Sequence, residues 1–419
     1  MIDRHLHSMC QAALGDTPVV LLAGARQTGK STLAKQLAKS LQERMPFLTL
    51  DDPATLGAAK RGPDAFLEDA GTRCLIDEVQ RAPELFLPMK KRVDAERLPG
   101  RYLLTGSANV LTLPKIADSL AGRMEVQVLW PFSQGELDGT PEGFVDACFG
   151  TPEALSTEMV DWPEFLERVV RGGYPEVVQR TQADRRRAWW EAYLKTLLER
   201  DVRDLANIEG LHELPRLLSI LAARTGGLQN FAEVGRLAGI STSTLKRYVA
   251  LLRAMYLHLE IPGWHRNLEK RLIKAPKTYL NDSGLICHLR GVDAKALAED
   301  RNRAGVVVEN FVAMELVKQI SWSKTRPTLH HFRDVAGNEV DFVMEAPDGR
   351  IVGIEVKCSS DLGSRDWRGL ETLASLAGRD FVQGIILYTG QQRLASGKNL
   401  LALPLASLWK TPMPETKTN

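Results

Sequence analysis

The sequence predicts an α/β protein built in three parts. These are a parallel sheet with helices on both faces at residues 1–137, a helical middle part at residues 138–265, and a second α/β domain at residues 266–419. Apolar runs of strand length alternate with helical patterns in the first third of the chain, which is typical of a covered parallel sheet. Two helical patterns joined by a glycine-containing turn follow at residues 231–252, and strands return after residue 277.

The composition is that of an ordinary globular protein. Of the 419 residues, 44% are hydrophobic and 25% are charged, and the net charge is +2, so any basic surface for nucleic acid has to be local. The five cysteines include no Cys-x-x-Cys pair, which argues against a zinc site and fits a reducing cytosol. No apolar run approaches the roughly 20 residues that span a membrane. We therefore expect a cytoplasmic protein without a membrane segment or a signal peptide.

The first predicted strand, at residues 18–23, runs into a glycine-containing loop and then into a helix. The loop, residues 24–31, reads G-A-R-Q-T-G-K-S, and its glycines let backbone N–H groups point inward at phosphates. The lysine can reach the β- and γ-phosphates, the serine can hold Mg²⁺, and the helix adds its positive dipole end. This pattern predicts that ATP and Mg²⁺ bind at Gly24, Ala25, Arg26, Gln27, Thr28, Gly29, Lys30, Ser31 and Thr32.

Polar residues follow the third and fourth predicted strands of this sheet. Asp77 is predicted to bind Mg²⁺ through water, and Glu78 to polarise the attacking water. Ser107 and Asn109, after the next strand, are candidates to sense the γ-phosphate. The alternative is that the two acids are only solvated or cap a helix, and that residues 105–109 form a plain polar turn.

Arg123, the last residue of the segment 120–123, is a candidate to complete the ATP site of a neighbouring subunit. Arg123 could stabilise transition-state charge beside the γ-phosphate of a neighbouring copy, which implies a homo-oligomer. The alternative is that Arg123 pairs with an acid on its own chain.

The helix-turn-helix pattern at residues 231–252 carries two basic residues on its second helix. Lys246 and Arg247 are candidates for DNA contact. A further basic stretch follows, made of Arg266, Lys270, Arg271, Lys274 and Lys277. A helix-turn-helix can also be a plain packing unit, and this alternative stays open.

Four charged residues of the C-terminal part form a possible second site. Glu309 lies on a predicted helix, Asp341 on a strand, and Glu355 and Lys357 two apart on the next strand, so that their side chains share a face. The turn at residues 346–350 predicts a hairpin that brings Asp341 and Glu355 together. These residues could hold one or two Mg²⁺ or Mn²⁺ ions, with Lys357 assisting the water that attacks a phosphodiester.

Apolar residues alternate with these acids along the two strands. Because Val340, Phe342 and Val356 would face the core, we expect the acids to face away from it, and surface alternation without a function is the alternative. The apolar run at residues 382–388 is expected to be the last strand of the chain.

On residues 24–31, 75–78, 104–109 and 122–123, the chain resembles AAA+ ATPases. More narrowly, it resembles a bacterial and archaeal AAA+ family with a C-terminal domain of unknown function. Further matching segments are residues 172–176 (G-G-Y-P-E), 198–202 (L-E-R-D-V), 279–285 (Y-L-N-D-S-G-L) and 355–357 (E-V-K). The resemblance implies a P-loop ATPase domain, a winged-helix segment, and a C-terminal domain similar to the PD-(D/E)xK nuclease fold of restriction endonucleases and Holliday-junction resolvases.

Two functions follow from these residues. One is an ATP-driven enzyme on DNA, including branched DNA such as Holliday junctions, with a nuclease-like C-terminal domain. The other is a regulatory or signalling ATPase whose winged helix and C-terminal domain bind proteins without cleaving DNA. The local basic residues favour the first, whereas the near-neutral net charge keeps the second open.

Overall fold

The computed structural model describes residues 2–40, 45–107, 120–198 and 213–413. The chain divides into two compact units, Met1–Pro131 with Leu252–Leu257, and Phe132–Leu251 with His258–Asn419. Asn109 and most of the segment 198–202 lie outside the described residues. The predicted three-part division at residues 137 and 265 stays a prediction.

The first unit contains a five-stranded parallel sheet with the strand order β2-β3-β4-β1-β5. Its strands are β1 (Val19–Ala23), β2 (Phe47–Thr49), β3 (Cys74–Asp77), β4 (Tyr102–Gly106) and β5 (Met124–Val128). The parallel sheet predicted from the sequence is thereby confirmed. The sequence pattern did not predict β5, because Met-Glu-Val-Gln-Val alternates and pairs with β1 on one side only.

Five described helices accompany this sheet: α1 (Leu6–Asp16), α2 (Lys30–Ser40), α3 (Pro53–Arg61), α4 (Pro63–Asp69) and α5 (Phe86–Ala95). Leu33 and Leu37 of α2 pack with Val20 and Leu22 of β1 in one apolar core. Burying such side chains stabilises the fold by about 1.5–3 kcal/mol each. The packing fixes where α2 begins, at the end of the loop that follows β1.

The second unit is built on a six-stranded mixed sheet with the order β12-β13-β11-β10-β9-β8. Its strands are β8 (Thr328–Arg333), β9 (Glu339–Glu345), β10 (Ile351–Lys357), β11 (Phe381–Tyr388), β12 (Leu394–Ser396) and β13 (Leu400–Pro404). The expectation that the run at 382–388 is the last strand was wrong. β12 is a short edge strand with two exposed residues, so its sequence carries little periodic signal.

The predicted hairpin is confirmed. β9 and β10 pair antiparallel, with Ile354 opposite Phe342. The turn between them is closed by the Ala346 N–H, which donates to the Arg350 carbonyl at 2.9 Å, and Gly349 adopts φ +88°. Glycine fits this turn because other residues rarely adopt positive φ.

The other described helices lie between residues 134 and 410. They are α6 (Gln134–Asp138), α7 (Phe144–Ala147), α8 (Trp162–Arg171), α9 (Pro175–Val178), α10 (Ala183–Thr196), α11 (Leu214–Ala223), α12 (Phe231–Ala238), α13 (Thr242–Ala254), α14 (Leu268–Leu272), α15 (Ser283–Arg290), α16 (Ala294–Glu299), α17 (Arg301–Trp322), α18 (Arg368–Ala377) and α19 (Ser407–Lys410). The second unit also contains a small antiparallel pair, β6 (His258–Ile261) and β7 (Lys277–Leu280). The core of the second unit centres on α17, whose Val308 and Phe311 pack with Phe342 and Ile354 of the large sheet.

The five cysteines are free thiols, and four of them are fully buried. Burial raises the pKa of Cys10 and of Cys74 to about 12. Within the described part of the chain, every helix is too short or too polar to cross a lipid bilayer.

Candidate functional site

The loop between β1 and α2 has the backbone of a phosphate-binding loop. Gly24 adopts φ +144° and Gly29 φ +97°. A Cβ on Gly24 would lie 2.3 Å from the Leu129 carbonyl oxygen, so only glycine fits there. The loop is also held from outside, since the Arg4 guanidinium donates to the Thr28 carbonyl at 3.1 Å. Arg4 was not predicted from the sequence, because it lies far from the loop in the chain.

The loop lysine is held back against the loop itself. The Lys30 ammonium donates to the Ala25 carbonyl at 2.8 Å, and the residue is only 5% exposed. The Thr28 hydroxyl donates to the same carbonyl at 3.0 Å. The positive charge of Lys30 is therefore held at the loop by one of the loop's own carbonyl groups.

Asp77 is the centre of a hydrogen-bonded group at the end of β3. Its Oδ1 accepts from the Ser31 hydroxyl at 2.6 Å and from the Thr105 hydroxyl at 2.6 Å. Its Oδ2 accepts from the Thr49 hydroxyl at 3.4 Å. Ser31 and Asp77 thus lie together, as the sequence predicted for a Mg²⁺ site, and their oxygen atoms are of the type that Mg²⁺ prefers. The residues present therefore fit ATP with Mg²⁺.

Glu78 directly follows in an uncommon backbone conformation. Its φ of 59° and ψ of 45° are left-handed, which costs about 1–3 kcal/mol in a non-glycine residue and is concentrated at functional sites. Its carboxylate accepts from the Ser107 hydroxyl at 3.0 Å and from the Gln80 side-chain amide, and its N–H donates to Thr105 Oγ1 at 3.1 Å. Ser107 is thus brought to Glu78. Thr105 and Gln80 were not singled out from the sequence, although Thr105 ends β4 next to the predicted Ser107.

Arg123 lies at the other edge of the same sheet. It immediately precedes β5, whose first residue pairs with Val19 at the start of β1, whereas the phosphate loop follows the end of β1. The five residues of β1 place its first residue roughly 13 Å from its last residue, where the phosphate loop begins. Its guanidinium pairs with Asp94 of the same chain at 2.5 Å, as the alternative interpretation expects. The structure therefore does not bring Arg123 to the phosphate loop of its own chain.

The basic residues predicted for DNA contact lie on the exposed side of α13. Lys246 and Arg247 are both exposed. The turn before this helix contains Gly239 at φ +76°, and the Ser241 hydroxyl accepts from the Thr244 N–H at 3.1 Å. A sharp turn with a capped second helix is the arrangement that the sequence predicted.

Two of the segments that carry the family resemblance contact each other. The Gly173 N–H donates to Asp282 Oδ2 at 2.8 Å, and the Asn281 side-chain amide donates to the Tyr174 hydroxyl at 2.9 Å. A Cβ on Gly172 would lie 2.2 Å from Asp282 Oδ1. All these groups are buried, so the two segments act together in packing.

The acidic residues predicted in the C-terminal part come together around β9 and β10. We call Glu309, Glu339, Asp341 and Glu355 the acidic cluster. Asp341 and Glu355 are each 8% exposed, so the expectation that this face lies away from the core was wrong. Helix α17 and strand β7 cover it, which the alternation of residues within β9 and β10 does not reveal.

A lysine that was not assigned to this site lies inside the acidic cluster. Lys277 of β7 is 3% exposed and pairs with Glu309, Glu339 and Asp341, whereas Lys357 pairs with Glu355 at 2.8 Å. Burial opposes the charge on Lys277, but the Asp341 and Glu309 carboxylates raise its pKa well above the ordinary value. Burial and the Asp341 carboxylate raise the pKa of Glu309 to about 7 and that of Glu355 to about 8. Among the described residues, no three His, Cys, Asp or Glu side chains are arranged to hold a metal ion.

Three family models match separate parts of the chain. Residues 16–138 match a model described as an AAA domain. Residues 163–296 and 304–408 match models described as domains of unknown function, DUF8612 and DUF4143. The first match, the parallel sheet and the phosphate loop define the class: the first unit contains an AAA-type P-loop ATPase domain.

The chain is similar over most of its length to two mycobacterial proteins. It is 29% identical over 404 residues to a protein of Mycobacterium tuberculosis (strain ATCC 25618 / H37Rv) described as uncharacterized protein Rv2008c, covering 95% of this chain and 82% of that protein. A Mycobacterium bovis protein described as uncharacterized protein Mb2031c matches with the same identity and coverage.

Two solved structures are similar to parts of this chain. The Thermotoga maritima RuvB Holliday junction branch migration motor is 19% identical with a TM-score of 0.29, over 61% of this chain and 87% of that chain. A signal transduction ATPase with numerous domains from Pyrococcus horikoshii is 12% identical with a TM-score of 0.26, over 77% of this chain and 47% of that chain. Similarities of this extent carry no argument about what this chain binds.

Proposed function

We propose that this protein is a Mg²⁺-dependent ATPase that acts on DNA, including branched DNA such as Holliday junctions, through a winged helix in its second unit. The observation that carries the proposal is the group of hydrogen bonds around Asp77. It places the Ser31 hydroxyl, the Asp77 carboxylate and the Glu78 backbone within one connected set at the phosphate loop.

In this proposal each residue of the site has one task. Lys30 leaves the Ala25 carbonyl and donates to the phosphates. Backbone N–H groups of the loop bind the same phosphates. Ser31 and Asp77 hold Mg²⁺, which neutralises phosphate charge when it is bound. The Glu78 carboxylate accepts a proton from the attacking water, and Ser107 and Gln80 keep it oriented.

The order of elements supports a winged helix. Helices α11, α12 and α13 are followed by β6, a connection at residues 262–276 that contains the short helix α14, and β7. We call this connection the 262–276 loop. Leu228, between α11 and α12, forms a bridge with Lys277 of β7. The exposed Lys246 and Arg247 on α13, and the exposed Arg266 and Lys270 in the loop, are suited to phosphate contacts.

One observation favours the regulatory alternative. In the same loop Leu268, Leu272 and Ile273 are 69%, 88% and 84% exposed. Adjacent exposed apolar side chains are typical of a protein-binding surface and do not contact phosphates. In the alternative, this loop binds a partner protein and ATP turnover regulates that contact.

ATP turnover of the full chain, measured with single-stranded, duplex and four-way DNA, tests the proposal. We expect turnover to rise with at least one DNA structure, and Lys30→Ala to abolish turnover in every condition. Lys39→Ala is the matched control, because Lys39 lies on the same helix outside the loop. Turnover that no DNA changes, in a protein that binds no DNA, would contradict the DNA part and favour the regulatory alternative.

A further inference from the structure

A lysine ammonium lies at the centre of the acidic cluster. Lys277 Nζ is 3.0 Å from Glu309 Oε1, 3.0 Å from Asp341 Oδ1 and 2.6 Å from Glu339 Oε1. An ammonium group has three N–H donors. Two of them are used by Glu309 and Asp341, and Glu339 forms a third ion pair with the same ammonium.

The remaining oxygens of the two strand acids also accept from groups of the chain. Asp341 Oδ2 accepts from the Val356 N–H at 3.0 Å. The Glu355 carboxylate accepts from Lys357 Nζ at 2.8 Å and from the Asp341 N–H at 3.2 Å. Each oxygen that a metal would need at Asp341 and Glu355 therefore already has a donor.

A divalent cation does not fit beside this ammonium. An ion bound to Asp341 Oδ1 at about 2.1 Å would lie within about 5 Å of Lys277 Nζ, in a buried place where like charges repel strongly. The cluster also already contains two cations, since Lys277 and Lys357 offset two of its four carboxylate charges. The residues therefore do not fit the metal site that the resemblance to PD-(D/E)xK nucleases implies.

We propose that Lys277 is a built-in cation that takes the place of a divalent metal in the acidic cluster, so that this unit binds no Mg²⁺ or Mn²⁺ there and does not cleave phosphodiesters. Lys277 stands on β7, whereas Glu309 stands on α17 and Asp341 on β9. The ammonium therefore joins the small sheet to the large one within the second unit. This inference does not rest on the proposed function, because ATP hydrolysis and DNA binding use other residues.

Removing the ammonium should create a metal site. We expect Lys277→Met to bind one more Mn²⁺ per chain than the wild type, and its melting temperature to rise when Mn²⁺ is added. Lys277→Met combined with Asp341→Asn should lose both effects. Lys318→Met is the matched control: Lys318 is similarly buried but pairs with one carboxylate, Glu315, at 2.7 Å, so it should gain no Mn²⁺ site.

The measurement is a titration of the nucleotide-free full chain with Mn²⁺, followed by the electron paramagnetic resonance signal of the free ion. Ions held at the phosphate loop are common to all these proteins and cancel in the comparison. A Lys277→Met protein that folds but gains no Mn²⁺ overturns the inference.

The wild type provides a second test that does not require Lys277→Met to fold. Equal numbers of bound Mn²⁺ in the wild type and in Asp341→Asn support the inference, whereas one fewer in Asp341→Asn overturns it. Mn²⁺-dependent cleavage of a four-way junction that is lost in both Asp341→Ala and Lys357→Ala would overturn it as well. A failure of DNA to stimulate ATP turnover would affect only the proposed function.

Discussion

Glu78 and Asp77 are neighbours in sequence with different surroundings. Asp77 accepts from three hydroxyl groups, whereas Glu78 is turned out by its left-handed backbone towards Ser107 and Gln80. The first arrangement is suited to holding a metal, and the second to holding a base beside water.

Glu78→Gln should therefore separate binding from turnover. The amide keeps the size of the side chain but cannot accept a proton, so we expect ATP affinity to stay near the wild-type value while turnover falls by about 10²–10⁴-fold. Nucleotide binding by calorimetry and phosphate release measure the two quantities. Glu84→Gln is the control, since Glu84 lies outside this group of hydrogen bonds. Turnover at the wild-type rate in Glu78→Gln would show that the base is another residue.

His331 predicts a dependence of stability on pH. Its Nε2 lies 3.1 Å from the Ala275 carbonyl, and its Nδ1 is buried without a hydrogen-bond partner. Burial and, to a smaller extent, the nearby Lys277 lower the pKa of His331 to about 4. In the unfolded chain this histidine binds a proton near pH 6.5, whereas in the folded chain it stays neutral down to about pH 4. The free energy of unfolding is therefore retained above pH 6.5 and decreases as the pH falls towards 4.

Replacing this imidazole should reduce that dependence. We expect His331→Gln to lower the slope of the unfolding free energy between pH 6 and 5 by up to about 1.4 kcal/mol per pH unit. Urea unfolding at several pH values measures the slope. An unchanged slope in a folded His331→Gln protein would mean that His331 is protonated in the folded state.

Helix α13 carries two exposed cations, Lys246 and Arg247. Reversing the charge of Lys246 and Arg247 to glutamate should weaken DNA binding. The slope of log affinity against log salt should fall by about one for each lost phosphate contact. Arg379→Glu is a matched control, because the Arg379 side chain is 95% exposed on another element of the second unit. If the wild type and the variant with both charges reversed have the same slope of log affinity against log salt, α13 does not contact DNA phosphates and the protein-contact alternative is favoured.

The elements also show what sequence patterns can predict. The phosphate loop, the hairpin of β9 and β10, and the helix pair α12 and α13 were predicted, because a turn between two periodic segments is a local signal. β5, β12 and β13 were not predicted. β5 and β12 each pair at a sheet edge and lack a continuous apolar run, and β13 is an apolar run of only five residues, too short to be distinguished from other apolar segments. Thr105 and Lys277 depend on strands far apart in the chain, so no spacing within one segment marks their roles in the two sites.

The position of Arg123 matters for the assembly of subunits. Because it lies at the sheet edge opposite the phosphate loop of its own chain, it can reach a phosphate only in another subunit. We expect Arg123→Ala to bind ATP but lose turnover, and a mixture of Arg123→Ala with Glu78→Gln to recover part of it. Phosphate release from the mixture and from each variant alone measures this. Activity in Arg123→Ala alone would leave Arg123 as the partner of Asp94 only.

Each unit contains buried thiols, so the rate at which a thiol is chemically modified measures the unfolding of its own unit. Cys10 and Cys74 belong to the first unit and Cys148 and Cys287 to the second, and all four are inaccessible in the native state. An alkylating reagent reacts with a buried thiol only after local or global unfolding exposes it. ATP that binds the phosphate loop should therefore slow the modification of Cys10 and Cys74, following its stabilisation of the native state. Mass spectrometry of the labelled chain would then record separately how fast each unit opens, without any engineered probe.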